Sequence, residues 1–441
     1  MSDTASQTST RGGGSPSPAK RGLVAGWFAI PLWQRVIGAL ILGIIVGYVW
    51  GPGAESIKII GDIFIAFIKM LVVPLIFFSL VAGVASIGDL RKLGSVGWRA
   101  LLIFVVTGQM AVWLGLGIGT FVQPGSGIDG ASMSLDQGAL DRAQSRQEEA
   151  VTVQQMILEI VPSSPVQVMA DVNVLPLIVF SLLIGIGILM AKEDGEPVLK
   201  IFESGSVVMQ KVTMVVMELT PFGVFALMAW VAGTLGVEAL QALGILVFLN
   251  YLGCLLIIGL IYAGMIKFIA KLPVIDFFRG IVDAIAVSYS TASSNATLPV
   301  TLRCAERNLG ISNSVASFVI ALGATINMNG TAMYLGLATL FGAQAFGVQL
   351  DMADYITISV LGTLGAIGAA GIPGSGLIMM VLVFSAVGVP LETIALVAGI
   401  DRIMDMMRTT TNVSGDAAVA TTVASLTGEI DRAEMISADD V

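Results

Sequence analysis

A row of charges in an apolar setting limits this chain more than any other feature. The segment Asp401-Arg402-Ile403-Met404-Asp405-Met406-Met407-Arg408-Thr409-Thr410-Thr411-Asn412-Val413-Ser414-Gly415-Asp416 continues the apolar run 391–400 without a turn signal. The helix begun in that run therefore carries the charges onward. At about 100° per residue, Asp401, Asp405, Arg408, Asn412 and Asp416 fall within roughly 80° of one another. A charge at the centre of a transmembrane helix costs about 2.5–3.5 kcal/mol on insertion scales. Such a stripe marks a substrate or ion site inside a bundle, with a solvated C-terminal helix as the alternative.

Composition decides between them. Of 441 residues, 56% are hydrophobic and 12% charged, and the mean hydropathy is +0.90; soluble domains carry about 25% charged residues. The chain reads as an all-α, multi-pass membrane protein. A net charge of −9 without a basic patch leaves no footprint for nucleic acid. Histidine is absent, so imidazole relays and ligands are excluded and proton chemistry would fall to carboxylates. Cys254 and Cys304 match no metal-ligand spacing and read as small buried apolar residues.

Residues 1–20 are rich in Ser, Thr, Gly and Pro, a composition that stays disordered. Residues 1–22 form the expected cytoplasmic tail, without a signal-peptide boundary. Apolar blocks follow at 35–50, 57–87, 98–122, 174–190, 205–230 and 240–269, each suited to a span of about 20 residues. The second is long enough to cross at a tilt. A polar loop at 123–155 holds Asp129, Asp136, Asp141, Arg142, Arg146, Glu148 and Glu149. The prolines of Val161-Pro162-Ser163-Ser164-Pro165 demand an irregular approach to the fourth block, and Thr220-Pro221-Phe222-Gly223 interrupts the fifth. Lys20, Arg21, Arg91, Lys92, Arg99, Lys192, Lys200, Lys267, Lys271 and Arg279 flank alternate loops. That excess puts the N terminus in the cytoplasm and returns the chain there, after six spans, near Pro273.

Beyond Pro273 the pattern changes. In 276–310, Ser288-Tyr289-Ser290-Thr291-Ala292-Ser293-Ser294-Asn295-Ala296-Thr297-Leu298-Pro299 separates two half-length apolar arms. In 352–388, Gly365-Ala366-Ile367-Gly368-Ala369-Ala370-Gly371-Ile372-Pro373-Gly374-Ser375-Gly376 does the same. Non-helical backbone at membrane depth survives only where protein or a water-filled cavity satisfies it, so both units read as re-entrant hairpins. A polar helix follows each: the first interrupted at Ala324-Thr325-Ile326-Asn327-Met328-Asn329-Gly330-Thr331, the second bearing the charged stripe. Hairpin and polar helix, repeated from opposite sides, make an inverted repeat of the kind secondary transporters use to build a midplane site. On this reading 23–272 hold six spans, 273–426 a transport core, and 427–441 an acidic cytoplasmic tail.

Singly, each motif has a plain alternative. The glycines suit close helix packing, the serines bond back to their own helix, Asn327-Met328-Asn329-Gly330 is a kink, and Asp405 with Arg408 is an i,i+3 pair. Arranged as a repeat, they describe one site. Arg408 offers a planar fork for a carboxylate, and Asp405 a partner for an ammonium group. Backbone amides near Ser294 suit another carboxylate. Carbonyls of the broken helix and hairpin tip, with Asp416, make an oxygen cage for a small cation. Asp401 falls in a supporting shell.

The segments 324–331, Gly371-Ile372-Pro373-Gly374 and Asp405-Met406-Met407-Arg408-Thr409, with Asn412 and Asp416, closely resemble the dicarboxylate/amino acid:cation symporter family, the glutamate transporter homologues. The resemblance covers 35–425. It implies a homotrimer of eight spans and two re-entrant hairpins. Spans one, two, four and five would form the scaffold. Spans three, six, seven and eight, with both hairpins, would form a unit that moves like an elevator, the second hairpin serving as extracellular gate.

Carried over by position, Arg408 would hold the substrate side-chain carboxylate with Thr331 beside it, and Asp405 the amino group. Asn412 and Ser294 would hold the main-chain carboxylate, and Ile372, Gly376 and Thr409 would complete the substrate site. Gly323, Asn327, Asn412 and Asp416 would line one sodium site. Thr325 with backbone oxygens near Ala366, Ile367 and Ala369 would line a second, and Met328 would sit between them.

Within that family an arginine at the Arg408 position goes with acidic substrates, and an aspartate at the Asp405 position with amino acids. Glutamate or aspartate is the expected substrate. Asn329 stands where the family has an aspartate associated with a third sodium site. Phe104 and Gly108 replace a tyrosine and a serine there, with Thr107 retained. Fewer coupled sodium ions, an altered cation preference with protons among the options, or a shifted substrate would follow. The tip Ser293-Ser294-Asn295 also lacks the family's serine triplet and the arginine some members carry. The expectation is a sodium-driven inner-membrane symporter with both termini cytoplasmic and no cofactor, not an enzyme. The alternatives are a neutral amino acid or C4-dicarboxylate carrier of the same family, a channel with a carbonyl-lined filter, and a membrane-embedded enzyme, for which Ser293-Ser294 has no base in its motif.

Overall fold

The computed structural model describes residues 27, 30–90, 94–128, 164–170, 174–369 and 371–436. The N-terminal segment 1–20, Lys20, Arg21, Arg91, Lys92, the loop from Asp129 onward, Val161-Pro162-Ser163, Ala370 and 437–441 lie outside them. Among the described residues the regular elements are helices, with no strand.

In order these are α1 (Leu32–Trp50), α2 (Lys58–Leu90), α3 (Ser95–Val122), α4 (Pro165–Ala170), α5 (Val174–Ala191), α6 (Glu196–Met217), α7 (Thr220–Trp230) and α8 (Gly236–Leu256). There follow α9 (Val274–Gly280), α10 (Val282–Thr291), α11 (Ser294–Arg303), α12 (Asn313–Ile326), α13 (Asn329–Ala345), α14 (Met352–Gly368), α15 (Ser375–Val387), α16 (Glu392–Thr427) and α17 (Arg432–Ile436). Five stretches, Leu32–Ala85, Ser95–Val122, Pro176–Met217, Thr220–Ala270 and Asn313–Ala345, are long and apolar enough to cross a membrane. Met352–Gly368 and Ser375–Val387 are shorter apolar helices. The chain is an all-α multi-pass membrane protein.

The fifth apolar block departs from expectation. Its helix starts at Glu196, and the break falls at Glu218 and Leu219, ahead of the Thr220-Pro221-Phe222-Gly223 motif. Pro221 occupies the first turn of α7, where a missing N–H interrupts nothing. Arg35 of α1 holds the break, its Nη1 2.7 Å from Glu218 Oε2.

Two groups of helices pack mainly among themselves: α1, α2, α5, α6 and α7; and α3, α8, both hairpins, α12, α13 and α16. Between apolar helices in lipid, close approach depends on small residues. A Cβ at Gly47 of α1 would strike the Ala229 carbonyl of α7, and one at Gly115 of α3 the Met333 carbonyl of α13. At the centre of the second group runs α16, 36 residues long, with its whole polar stripe buried.

Candidate functional site

Each hairpin turns where its sequence releases the helix. Ala292 takes φ +51 after α10. Ser293, extended, caps α11 by accepting the Ala296 N–H at 3.2 Å, a role that suits its short hydroxyl. Gly374 at φ +78 opens α15 in a conformation that favours glycine. The tips meet, because the Gly371 carbonyl accepts from the Ser293 hydroxyl at 2.8 Å and from the Asn295 N–H at 3.1 Å. Between the tips and α16 lies a small cavity of about 10 Å³. Ser294, Met328, Thr331, Ile372, Asp405, Thr409 and Asn412 line it, together with Ala292, Gly371 and Ser375.

Arg408 is not a lining residue and is 0% exposed. Its Nη2 donates to Asp401 Oδ1 at 2.8 Å and to Asp405 Oδ1 at 2.9 Å. Its Cζ lies 3.9 Å from the centroid of the Tyr334 ring, whose hydroxyl donates to the same Asp401 oxygen at 3.1 Å. The other Asp405 oxygen accepts the Gly374 N–H at 3.0 Å, tying α16 to the second tip. Nε and Nη1 of Arg408 have no partner. Gly376 leaves room above them, since a Cβ there would sit 2.9 Å from Nη1. A buried guanidinium with two nitrogens unspent is half of a carboxylate site. Asp401 is a direct counter-ion of Arg408.

Further along α16, Asp416 is 2% exposed and accepts from Asn327 Nδ2 at 2.9 Å. Among the described residues no basic side chain pairs with it. Asn327 forms the break between α12 and α13. Its N–H donates to the Gly323 carbonyl at 2.8 Å, and its Nδ2 also to the Asn412 carbonyl at 3.2 Å. Its Oδ1 has no partner. A carboxylate, an orphan amide oxygen and two carbonyls thus gather in a buried place, and oxygen ligands are what a hard cation takes. Asn412 links the two clusters: its Oδ1 accepts the Gly330 N–H at 2.8 Å, and its Nδ2 lies 3.2 Å from the Met328 sulfur.

The other expected ligands are engaged within their own elements or with neighbours. Thr325 is exposed and its hydroxyl donates to Leu322 at 2.9 Å, while the Ala366 carbonyl accepts the Ala369 N–H at 3.2 Å. Although α12 and α14 touch, no hydrogen bond joins Thr325 to Ala366, Ile367 or Ala369 among the described residues. The amide of Asn329 donates to the Tyr262 hydroxyl at 2.9 Å, and its oxygen lies 3.5 Å from where a Cβ on Gly108 would stand. The Thr107 hydroxyl turns back to Ile103 at 2.8 Å, and Phe104 is buried. Cys254 and Cys304 are buried free thiols.

Tyr334, Tyr262 and Arg402 belong to this polar core without having been singled out from the sequence. For the tyrosines a signal existed: a phenol among small apolar residues at membrane depth needs a hydrogen-bond partner. Arg402 stands one residue off the stripe.

The profile of the sodium:dicarboxylate symporter family matches residues 32–426. The proton/sodium-glutamate symport protein of Geobacillus stearothermophilus is 35% identical over 393 residues, 88% of this chain and 92% of the relative. The C4-dicarboxylate transport protein of Bacillus subtilis (strain 168) is 35% identical over 411 residues, 92% of this chain and 96% of the relative. The proton/glutamate-aspartate symporter of the same organism is 32% identical over 405 residues, 92% and 97% of the two chains.

Proposed function

The chain belongs to the sodium:dicarboxylate symporter family, and from that premise we propose that it is a cation-coupled symporter of an acidic amino acid, glutamate or aspartate. The observation that carries the substrate is Arg408, buried with Nε and Nη1 unspent and one turn from Asp405 in the cavity wall. The side-chain carboxylate of the substrate accepts charge-assisted hydrogen bonds from the free Nη1 beside Gly376. Its ammonium group goes to Asp405, and its main-chain carboxylate to Asn412 and Ser294. Asp416, the orphan oxygen of Asn327 and the Gly323 and Asn412 carbonyls receive the coupling cation, Na+ in the first instance.

Cation and substrate together hold the second hairpin shut against the first through Gly371. The group of α3, α8, α12, α13, α16 and the hairpins then moves as a loaded unit against the other helices, within a homotrimer in the cell membrane with both termini cytoplasmic. The separate packing of the two groups supports that division. A C4-dicarboxylate is the second reading. It is favoured by the relative of that name and by Asp405, whose oxygens already serve Arg408 and Gly374, so that an ammonium group must share them.

Uptake by reconstituted protein under imposed Na+ and H+ gradients, with glutamate, aspartate and succinate in competition, tests this. Concentrative, cation-dependent aspartate or glutamate uptake that Arg408→Ala abolishes is expected. Full uptake by that variant sinks the substrate assignment, and accumulation of succinate alone establishes the second reading. Flux that never exceeds equilibrium points to a channel.

A further inference from the structure

Arg402 is a buried arginine on α16 that the scheme above leaves unused. It is 5% exposed, its Nη2 donates to the Thr291 carbonyl at 3.1 Å, and its Nε and Nη1 have no partner. Among the described residues it makes no ion pair. The two acids nearest on its own helix, Asp401 and Asp405, both give Oδ1 to Arg408.

The position of this unspent charge matters. Thr291 ends α10 and its neighbour Ala292 lines the cavity, so the guanidinium stands one residue behind the cavity wall. It also precedes Asp405 by three residues on the same helix, which makes the two side chains surface neighbours. A carbonyl left over at the end of a helix carries partial negative charge and tolerates a cation. That explains how the charge survives, not what it does. An apolar side chain of similar volume would fill the space at no greater cost.

We infer that Arg402 is a specificity-determining residue, whose charge sets how the site weighs a dicarboxylate against a substrate that also carries an ammonium group. This rests on the proposed symport of an acidic substrate. Asp401 and Asp405 bring two negative charges to the polar core, and Arg408 one positive. Arg402 supplies the second positive charge, and because no ion pair consumes it, its field reaches the cavity. Without it the group is negative, which repels a dianion and favours an ammonium. Through the partly screened interior, loss of one such charge should weaken a dianion about tenfold relative to an amino acid.

The test is competitive binding of aspartate and succinate to the full-length protein in lipid nanodiscs, for wild type, Arg402→Gln, Arg402→Lys and Arg402→Met. The expected result is an affinity ratio, succinate to aspartate, lowered about tenfold in Arg402→Gln and kept within about twofold in Arg402→Lys, which retains the charge. Arg402→Met should match Arg402→Gln, and serves alone if burying an amide prevents folding. An unchanged ratio in the Gln and Met variants overturns the inference. So does a Lys variant that shifts as far as they do, since the hydrogen bond to Thr291 rather than charge would then be the cause. Wild type that binds neither compound overturns the proposed function and this inference with it, whereas normal wild-type binding with unshifted variants overturns the role of Arg402 alone.

Discussion

At one end of the polar stripe on α16, Arg408 is gripped by Asp401 and Asp405 at 2.8 and 2.9 Å and stacked on Tyr334; at the other, Asp416 meets the amide of Asn327 at 2.9 Å and no basic side chain among the described residues. The helix, the burial and the apolar surroundings are common to both ends. Only the charge balance differs. The first cluster, counted with Arg402, is neutralised by the protein itself, so a ligand entering it must bring a carboxylate that fits the donors left over. In the second, a carboxylate faces an amide oxygen without a partner, and leaving such a charge uncompensated in a protein interior costs several kcal/mol. On the proposed function, one end discriminates among anions and the other requires a cation, with Asn412 hydrogen-bonded between them.

Asp416→Asn should break this contrast most severely. With the buried charge gone, the Na+ concentration for half-maximal substrate binding should rise by about 100-fold or more, as read by Na+ titration in detergent or nanodiscs. Cation dependence equal to wild type would mean that the second cluster is no cation site. Asn329→Asp works in the opposite sense, placing a further carboxylate beside Gly108 and Tyr262. A steeper Na+ dependence, with binding at low Na+ changed by more than about tenfold, is expected from the same titration, and an unaltered curve removes the account of a degraded third site.

Two further substitutions act at the end that holds Arg408. Asp401→Asn keeps an acceptor for Arg408 Nη2 but deletes a carboxylate that opposes the substrate's own. Succinate should bind about sevenfold more tightly, opposite in sign to Arg402→Gln, with the Na+ midpoint unmoved. Competition binding checks both statements. Tyr334→Phe is the mildest: the ring stays under Arg408, and one hydrogen bond of about 1 kcal/mol is lost. Calorimetry should find aspartate about fivefold weaker, again without a shift in cation dependence.

Legibility followed locality. The apolar blocks, the two hairpin tips and the common face of Asp401, Asp405, Arg408, Asn412 and Asp416 could be read along the chain, because hydropathy and helical period depend on near neighbours. The break in the fifth block was placed late, because a proline that interrupts a helix and one that starts the next look alike in sequence. Thr325 shares a motif with Asn327, yet it is exposed where Asn327 is buried; a motif does not say how deeply each residue of a distorted helix end lies. Arg402 lies off the stripe, and its partner, the Thr291 carbonyl at the end of α10, is distant in the chain.

Hydropathy and helical period alone specify a multi-pass helical protein with two broken apolar segments and a polar stripe whose residue types suit a carboxylate, an ammonium group and a cation. Pairing was decided by tertiary structure alone. Arg408 turns to Asp401 and Tyr334, Asp405 to Gly374, Asp416 to Asn327, and Arg402 to Thr291. Most of these partners come from α10, α13, α15 and the α12–α13 break, remote from α16 in the chain. A helical period fixes the azimuth of a side chain on its own helix, but only the packing of those distant elements determines which charges are answered and which are left open.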